Sequence, residues 1–90
     1  MREDNVEIVV GIREIGPLLK FDRSAKSSFV KRNVTLQTIT DKLIFAEVRK
    51  MEILDGFNEG DLVVATLSFA GSQKGEKKYN NIFINELKAK

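Results

Sequence analysis

Apolar and polar residues alternate with a period of two, imperfectly, along five stretches of this chain: 6–15, 29–38, 43–49, 62–69 and 81–87. All five are rich in Val, Ile, Phe and Thr, side chains that suit a pleated, half-buried surface. In the second stretch Val34 and Leu36 share one face, with Asn33, Thr35 and Gln37 on the other. In the third, Ile44, Ala46 and Val48 oppose Leu43, Phe45, Glu47 and Arg49. In the fifth, Ile82 and Ile84 oppose Asn81, Phe83 and Asn85. The period changes once. Met51, Ile53, Leu54 and Phe57 follow a spacing closer to helical, which predicts a short helix over 50–57, stopped by Gly60. Turn-forming residues at Gly16-Pro17, 22–28, 40–42, 58–61 and 71–78 predict the connections.

The predicted order is three strands, a short helix and two strands. Ninety residues leave room for one core, so 1–90 reads as a single domain. Five short strands with one helix between the third and fourth predict an all-β OB-fold. That fold is a five-stranded Greek-key barrel that closes most of its sheet edges. The competing SH3-like barrel has no helix at this point.

Composition narrows the chemistry. The chain has no histidine and no cysteine. That excludes histidine acid–base catalysis, His-ligated metals, disulfides, thiolate chemistry and zinc ribbons. Glu59 and Asp61 fall in a turn, where turn formation accounts for them. Ser24, Ser27 and Ser28 have no histidine base. Gly71-Ser72-Gln73-Lys74-Gly75 lacks the spacing of a phosphate loop and precedes a strand. A non-enzymatic protein with no metal or cofactor is therefore expected. No apolar run approaches the length of a membrane span, and Met1-Arg2-Glu3-Asp4-Asn5 leads into no signal core. A cytoplasmic protein with no membrane contact is the expectation. The net charge of +2 is compatible with nucleic-acid binding only through clustering.

Several segments are distinctive when taken in order. They are Val6-Glu7-Ile8, Phe29-Val30-Lys31-Arg32-Asn33-Val34-Thr35-Leu36, Ile44-Phe45-Ala46-Glu47-Val48, Phe57-Asn58-Glu59-Gly60-Asp61-Leu62-Val63 and Tyr79-Asn80-Asn81-Ile82. Together, over about 6–87, they resemble bacterial single-stranded-DNA-binding proteins built on one OB-fold, most of all a compact bacterial and phage family of about this length. The resemblance implies sequence-tolerant binding of single-stranded DNA. Members of this kind often carry a stacking tryptophan near the end of the third strand, and this chain has none. Full-length proteins of this type usually end in an acidic tail that recruits partners. This chain ends Glu86-Leu87-Lys88-Ala89-Lys90, so tail-mediated recruitment is not expected.

Single strands are held by cations on phosphates and flat rings on bases. An OB-fold offers the outer face of its second and third strands, between the loops joining strands one to two and four to five. Lys20, Arg23 and Lys26 fall on the first of these loops and Lys74, Lys77 and Lys78 on the other. Lys31 and Arg32 open the second strand. The three basic sets are expected to converge on one groove. Glu3, Asp4, Glu7, Glu52, Asp55, Glu59 and Asp61 lie mainly elsewhere, which predicts a polarised surface. Strict alternation sets Phe29 and Lys31 opposite Val34 and Leu36, with Arg32 on the core side; a bulge would exchange them.

Phe29 is the leading stacking candidate, and packing into the barrel end is the competing reading. Phe45, which shares its face with Arg49, is read as core first and platform second. Tyr79 is either a ligand contact or a strand-pairing residue. Phe57 and Phe69 read as core, and Phe83 as platform or subunit contact. Phe83 and Leu87 on the last strand predict an apolar edge for a homo-oligomer. Two alternatives remain beside single-stranded DNA. One is RNA, although the aromatic density of the cold-shock type is missing. The other is a protein-contact module or accessory subunit of a DNA-replication or mobile-element complex.

Overall fold

The structure, a computed structural model, describes residues 5–24 and 27–90. Five strands, β1 (Asn5–Ser24), β2 (Ser27–Thr38), β3 (Leu43–Val48), β4 (Leu62–Lys74) and β5 (Lys77–Ala89), form a closed barrel in the order β1-β2-β3-β5-β4. β1 runs antiparallel to both β2 and β4, which closes the ring. β3 and β5 meet in parallel at one residue pair, Glu47 with Phe83. A single 3-10 turn, Met51–Leu54, lies between β3 and β4. The architecture is an OB-like barrel, as the order of elements predicts.

Alternation is what fills the interior. Val10 and Ile12, Val34 and Leu36, Ala46 and Val48, and Val63, Ala65 and Leu67 all point inward and are buried. Leu54 joins this core, with Met51, Ile53 and Phe57 packed partly against it. Each fully buried Val, Leu or Ile contributes about 1.5–3 kcal/mol over its exposed state. The faces expected for β2 and β3 are those observed. The expected helix over 50–57 is only one turn. It ends where Gly56 takes a φ of 84°, a conformation that favours glycine.

Three predicted connections are paired strand instead. β1 runs straight through Gly16-Pro17, where its register against β2 shifts between Ile15 and Leu18. Proline has no N–H to give to a ladder, so it is tolerated at such a bulge. A Cβ on Gly16 would stand 2.9 Å from the Asn33 carbonyl oxygen, so the close approach needs glycine. β1 and β2 stay paired out to Ser24 and Ser27. Likewise 71–78 is no loop: β4 and β5 pair out to Lys74 and Lys77 across Gly75-Glu76. Gly75, with a φ of 61°, fills the first central position that a type II′ hairpin turn reserves for glycine. The molecule is therefore a barrel with two hairpin arms.

Two expected burials are reversed. Phe69 continues the inward parity of Val63, Ala65 and Leu67, but it lies where β4 leaves the barrel and is 53% exposed. Leu87 is buried rather than on an apolar edge. Leu67 pairs with Ile84 and Thr66 with Glu86, so Asn85 is an extra residue that flips the parity of the residues after it. The self-association edge expected from Leu87 is thus part of the core. Of the two carboxylates expected to serve the 58–61 turn, Asp61 does so, whereas Glu59 ties the turn to β1. Asp61 Oδ2 accepts the Asn58 N–H at 2.8 Å, and Glu59 Oε2 accepts the Ile15 N–H at 2.8 Å. Among the described residues no helix is long and apolar enough to cross a membrane.

Candidate functional site

β3 turns Leu43, Phe45 and Glu47 outward, and Arg49 follows them on the same face. Phe45 is 70% exposed, which corrects its reading as core. Glu47 has the same parity yet is only 9% exposed. The barrel interior does not cover it; neighbours on the outer face do. Glu47 pairs with Asn33 of β2, so Lys31, two residues away on that face, is its diagonal neighbour. Lys31 Nζ donates to Glu47 Oε2 at 2.9 Å. Arg49 donates to Glu47 Oε1 through Nε at 3.2 Å and Nη2 at 3.0 Å. Burial pushes the Glu47 carboxyl up, but the hydrogen bonds and charges of Lys31 and Arg49 together outweigh burial. The result is a pKa below the usual 4.5.

Rings extend this cluster. Phe21 and Phe29 oppose each other across β1 and β2, stacked with centroids 5.1 Å apart and planes 19° from parallel. Lys31 Nζ lies 5.3 Å from the Phe21 centroid. Arg49 Cζ lies 4.5 Å from the centroid of Phe29 and 5.4 Å from that of Phe83. Cation–π contacts of this kind contribute about 0.5–2 kcal/mol each. An open pocket of about 380 Å³ lies against Glu47, Arg49 and Phe83. The two cations and one acid leave this cluster a net charge of +1, and the acid at its centre departs from the expected polarised surface.

The structure brings together Phe29, Lys31 and Arg49, with Phe45 further along the same face of β3. It sets Lys20 and Arg32 on the opposite face of the β1–β2 arm. Lys20 opposes Val30 and Arg32 opposes Leu18, whereas Lys31 opposes Leu19 and Phe21 opposes Phe29. Arg32 Nε instead donates to the Gly16 carbonyl at 2.8 Å, on the core side that strict alternation assigns it. Lys26 and the side chain of Arg23 lie outside the described residues. On the β4–β5 arm, Tyr79 pairs with Ser72 and Lys77 with Lys74, continuing the outward face of Phe83. Lys78 pairs with Gln73 on the other face.

The arms also depart from the expected convergence. Arg32 pairs with Val48, so the β1–β2 arm leaves beyond the end of β3. The parallel pairing of Glu47 with Phe83 sends the β4–β5 arm past the Leu43 end. The basic sets bracket the face from opposite ends rather than meeting in one groove. Sequence reasoning missed Phe21, because the first strand was expected to end at Ile15. It also passed over Glu47, although an acid between Phe45 and Arg49 on an outer face was a visible signal. No family model, no curated protein and no solved structure matches the chain. A fold alone hosts many functions, so the function must come from the chemistry of this face.

Proposed function

We propose that the protein binds single-stranded DNA across the outer face of β3, between the two arms, without catalysis and with little sequence preference. The observation that carries this reading is Phe45. Its ring is 70% exposed at the middle of a sheet face, with cations toward both ends. An exposed ring on a rigid strand is a stacking platform, and a stacked base contributes about 1–3 kcal/mol. Lys74 and Lys77 toward one end, and Lys31 and Arg49 toward the other, are suited to phosphates. Neither rings nor phosphate contacts read base edges, so tolerance of sequence follows. The resemblance to compact single-stranded-DNA-binding proteins points the same way, and a cytoplasmic site of action is part of the proposal.

A second reading rests on Ile39 and Leu43, both exposed at the β2–β3 turn beside Phe45. Leu43 shares the outer face of β3 with Phe45, and exposed apolar side chains of this kind suit a protein contact, either in a replication or mobile-element assembly or between copies of this chain.

Fluorescence anisotropy with dT and rU oligomers at two salt concentrations tests the proposal. The dT oligomer should bind, with log affinity falling against log salt by about 0.7 per neutralised phosphate. Preference for rU would reassign the ligand to RNA. A folded protein that binds neither at low salt overturns the proposal and leaves the protein-contact reading.

A further inference from the structure

We propose that Glu47 is an internal competitor for the ligand's phosphates: it holds Lys31 and Arg49 in the free protein, and a phosphate takes one of them over on binding. The inference rests on the single-strand reading of this face. Its basis is the broken burial pattern of β3. Glu47 belongs by parity to the outer face, where Leu43 and Phe45 are exposed, and yet it is buried. What covers it is the pair of cations that a nucleic acid would need, at 2.9–3.2 Å. A guanidinium accepts a phosphate in the same geometry as a carboxylate, so one anion can replace the other without rebuilding the site.

The same exchange governs the rings. Arg49 lies over both Phe29 and Phe83, so the position a base would take on Phe29 is occupied while Glu47 holds the guanidinium. Glu47 touches no ligand in this scheme. It is a positioning residue that sets how many cations are available and whether these rings are open. Its cost to the ligand is a lower affinity and a shallower salt dependence than Lys31 and Arg49 would otherwise provide.

Glu47→Gln keeps the shape and one acceptor oxygen while removing the charge. At low salt it should bind dT oligomers about tenfold more tightly than the parent, and its salt slope should steepen by about 0.7, the increment for one more phosphate on a single strand. Glu47→Asp, which keeps the charge, should retain the parent slope. A folded Glu47→Gln with the parent's affinity and slope overturns the competitor role alone. If the parent is silent and Glu47→Gln binds, the single-strand reading of the parent falls, and with it the takeover of a cation by phosphate. If neither binds, both the competitor role and the single-strand reading fall. Should Glu47→Gln not fold, the Arg49 Nε–H resonance of the parent decides. It should shift on addition of a dT oligomer as the guanidinium leaves Glu47, and an unmoved signal overturns the proposal.

Discussion

The β1–β2 arm and the β4–β5 arm are both two-stranded ribbons, and such ribbons are marginal on their own. They solve this differently. The β1–β2 ladder has three register shifts, one in the barrel at Ile12–Glu14, one at the base of the arm and one near its tip. It compensates with the Phe21–Phe29 stack, the Arg32 bond to Gly16, and cations tied to Glu47 and the rings. The β4–β5 arm has unbroken pairing from Leu67–Ile84 to its Gly75 turn, and residues 69–81 are all exposed. Among the described residues Lys74, Lys77 and Lys78 make no ion pair. Among the described side chains, Lys31 and Arg32 of one arm are held by Glu47 and the Gly16 carbonyl, whereas Lys74, Lys77 and Lys78 of the other are open to solvent. Salt-sensitive attraction should therefore come mainly from the β4–β5 arm, and shape-dependent contact from the cluster at the other end.

The strongest way to break this contrast is to reverse Lys74, Lys77 and Lys78 to Glu. Affinity for every single strand should fall about a hundredfold at low salt, and the salt slope should flatten by about 1.4, the increment for the two phosphates that Lys74 and Lys77 face. Parent-like binding by the folded variant would show the β4–β5 arm to be a merely solvated surface. Glycine substitutions sharpen the contrast in stability. Gly16→Ala puts a Cβ 2.9 Å from the Asn33 carbonyl oxygen and should cost about 1–3 kcal/mol in chemical denaturation. Gly71→Ala on the other arm meets the Tyr79 carbonyl oxygen at 3.6 Å, an ordinary contact, and should be neutral within about 0.5 kcal/mol. Equal losses at both positions would contradict the description of the arms.

Phe45→Ala should weaken dT binding roughly fivefold to tenfold with the salt slope and the melting temperature nearly unchanged, because the ring is exposed and uncharged. Phe29→Ala, which removes the partner of Phe21 and Arg49, should lower the melting temperature as well. Phe45→Ala melting earlier than Phe29→Ala would reverse their roles. The smallest effect is on acid stability. The Glu47 carboxyl is held below 4.5 in the folded protein, so its contribution is full above that value. It is lost as pH falls through the lower folded value. The stability difference between the parent and Glu47→Gln should therefore shrink as pH falls from neutral to below 4.5. A difference that stays constant over that range would show that the depressed carboxyl carries no stability.

Much of the barrel was legible in the chain, because alternation reports faces directly. Val34 against Thr35 and Ala46 against Phe45 needed only parity. The arms were not legible, since composition cannot tell a loop from a paired hairpin when both use Gly, Ser and Lys. Parity also fails wherever a residue is inserted. Asn85 alone moved Leu87 from the expected edge into the core. Phe69 failed for another reason: parity says which way a side chain points, not whether anything stands there to cover it. The cluster around Glu47 joins β1, β2, β3 and β5, and only pairing across strands reveals that Phe21 and Phe83 lie against the two cations that hold one acid.

The single laddered pair between β3 and β5 has a mechanical consequence. A barrel is a sleeve rolled from a sheet, and this sleeve is fastened along one seam by a single stitch at Glu47 and Phe83. Seams of this kind open locally at far less cost than the whole fold. Amide protons along that seam should exchange before those of β1, which is laced to β2 on one side and β4 on the other. Arg49 spans the stitch from outside, with its guanidinium on the Glu47 carboxylate and over the Phe83 ring. The same arginine thus works as a clasp, and whatever draws it away loosens the sleeve at its weakest line.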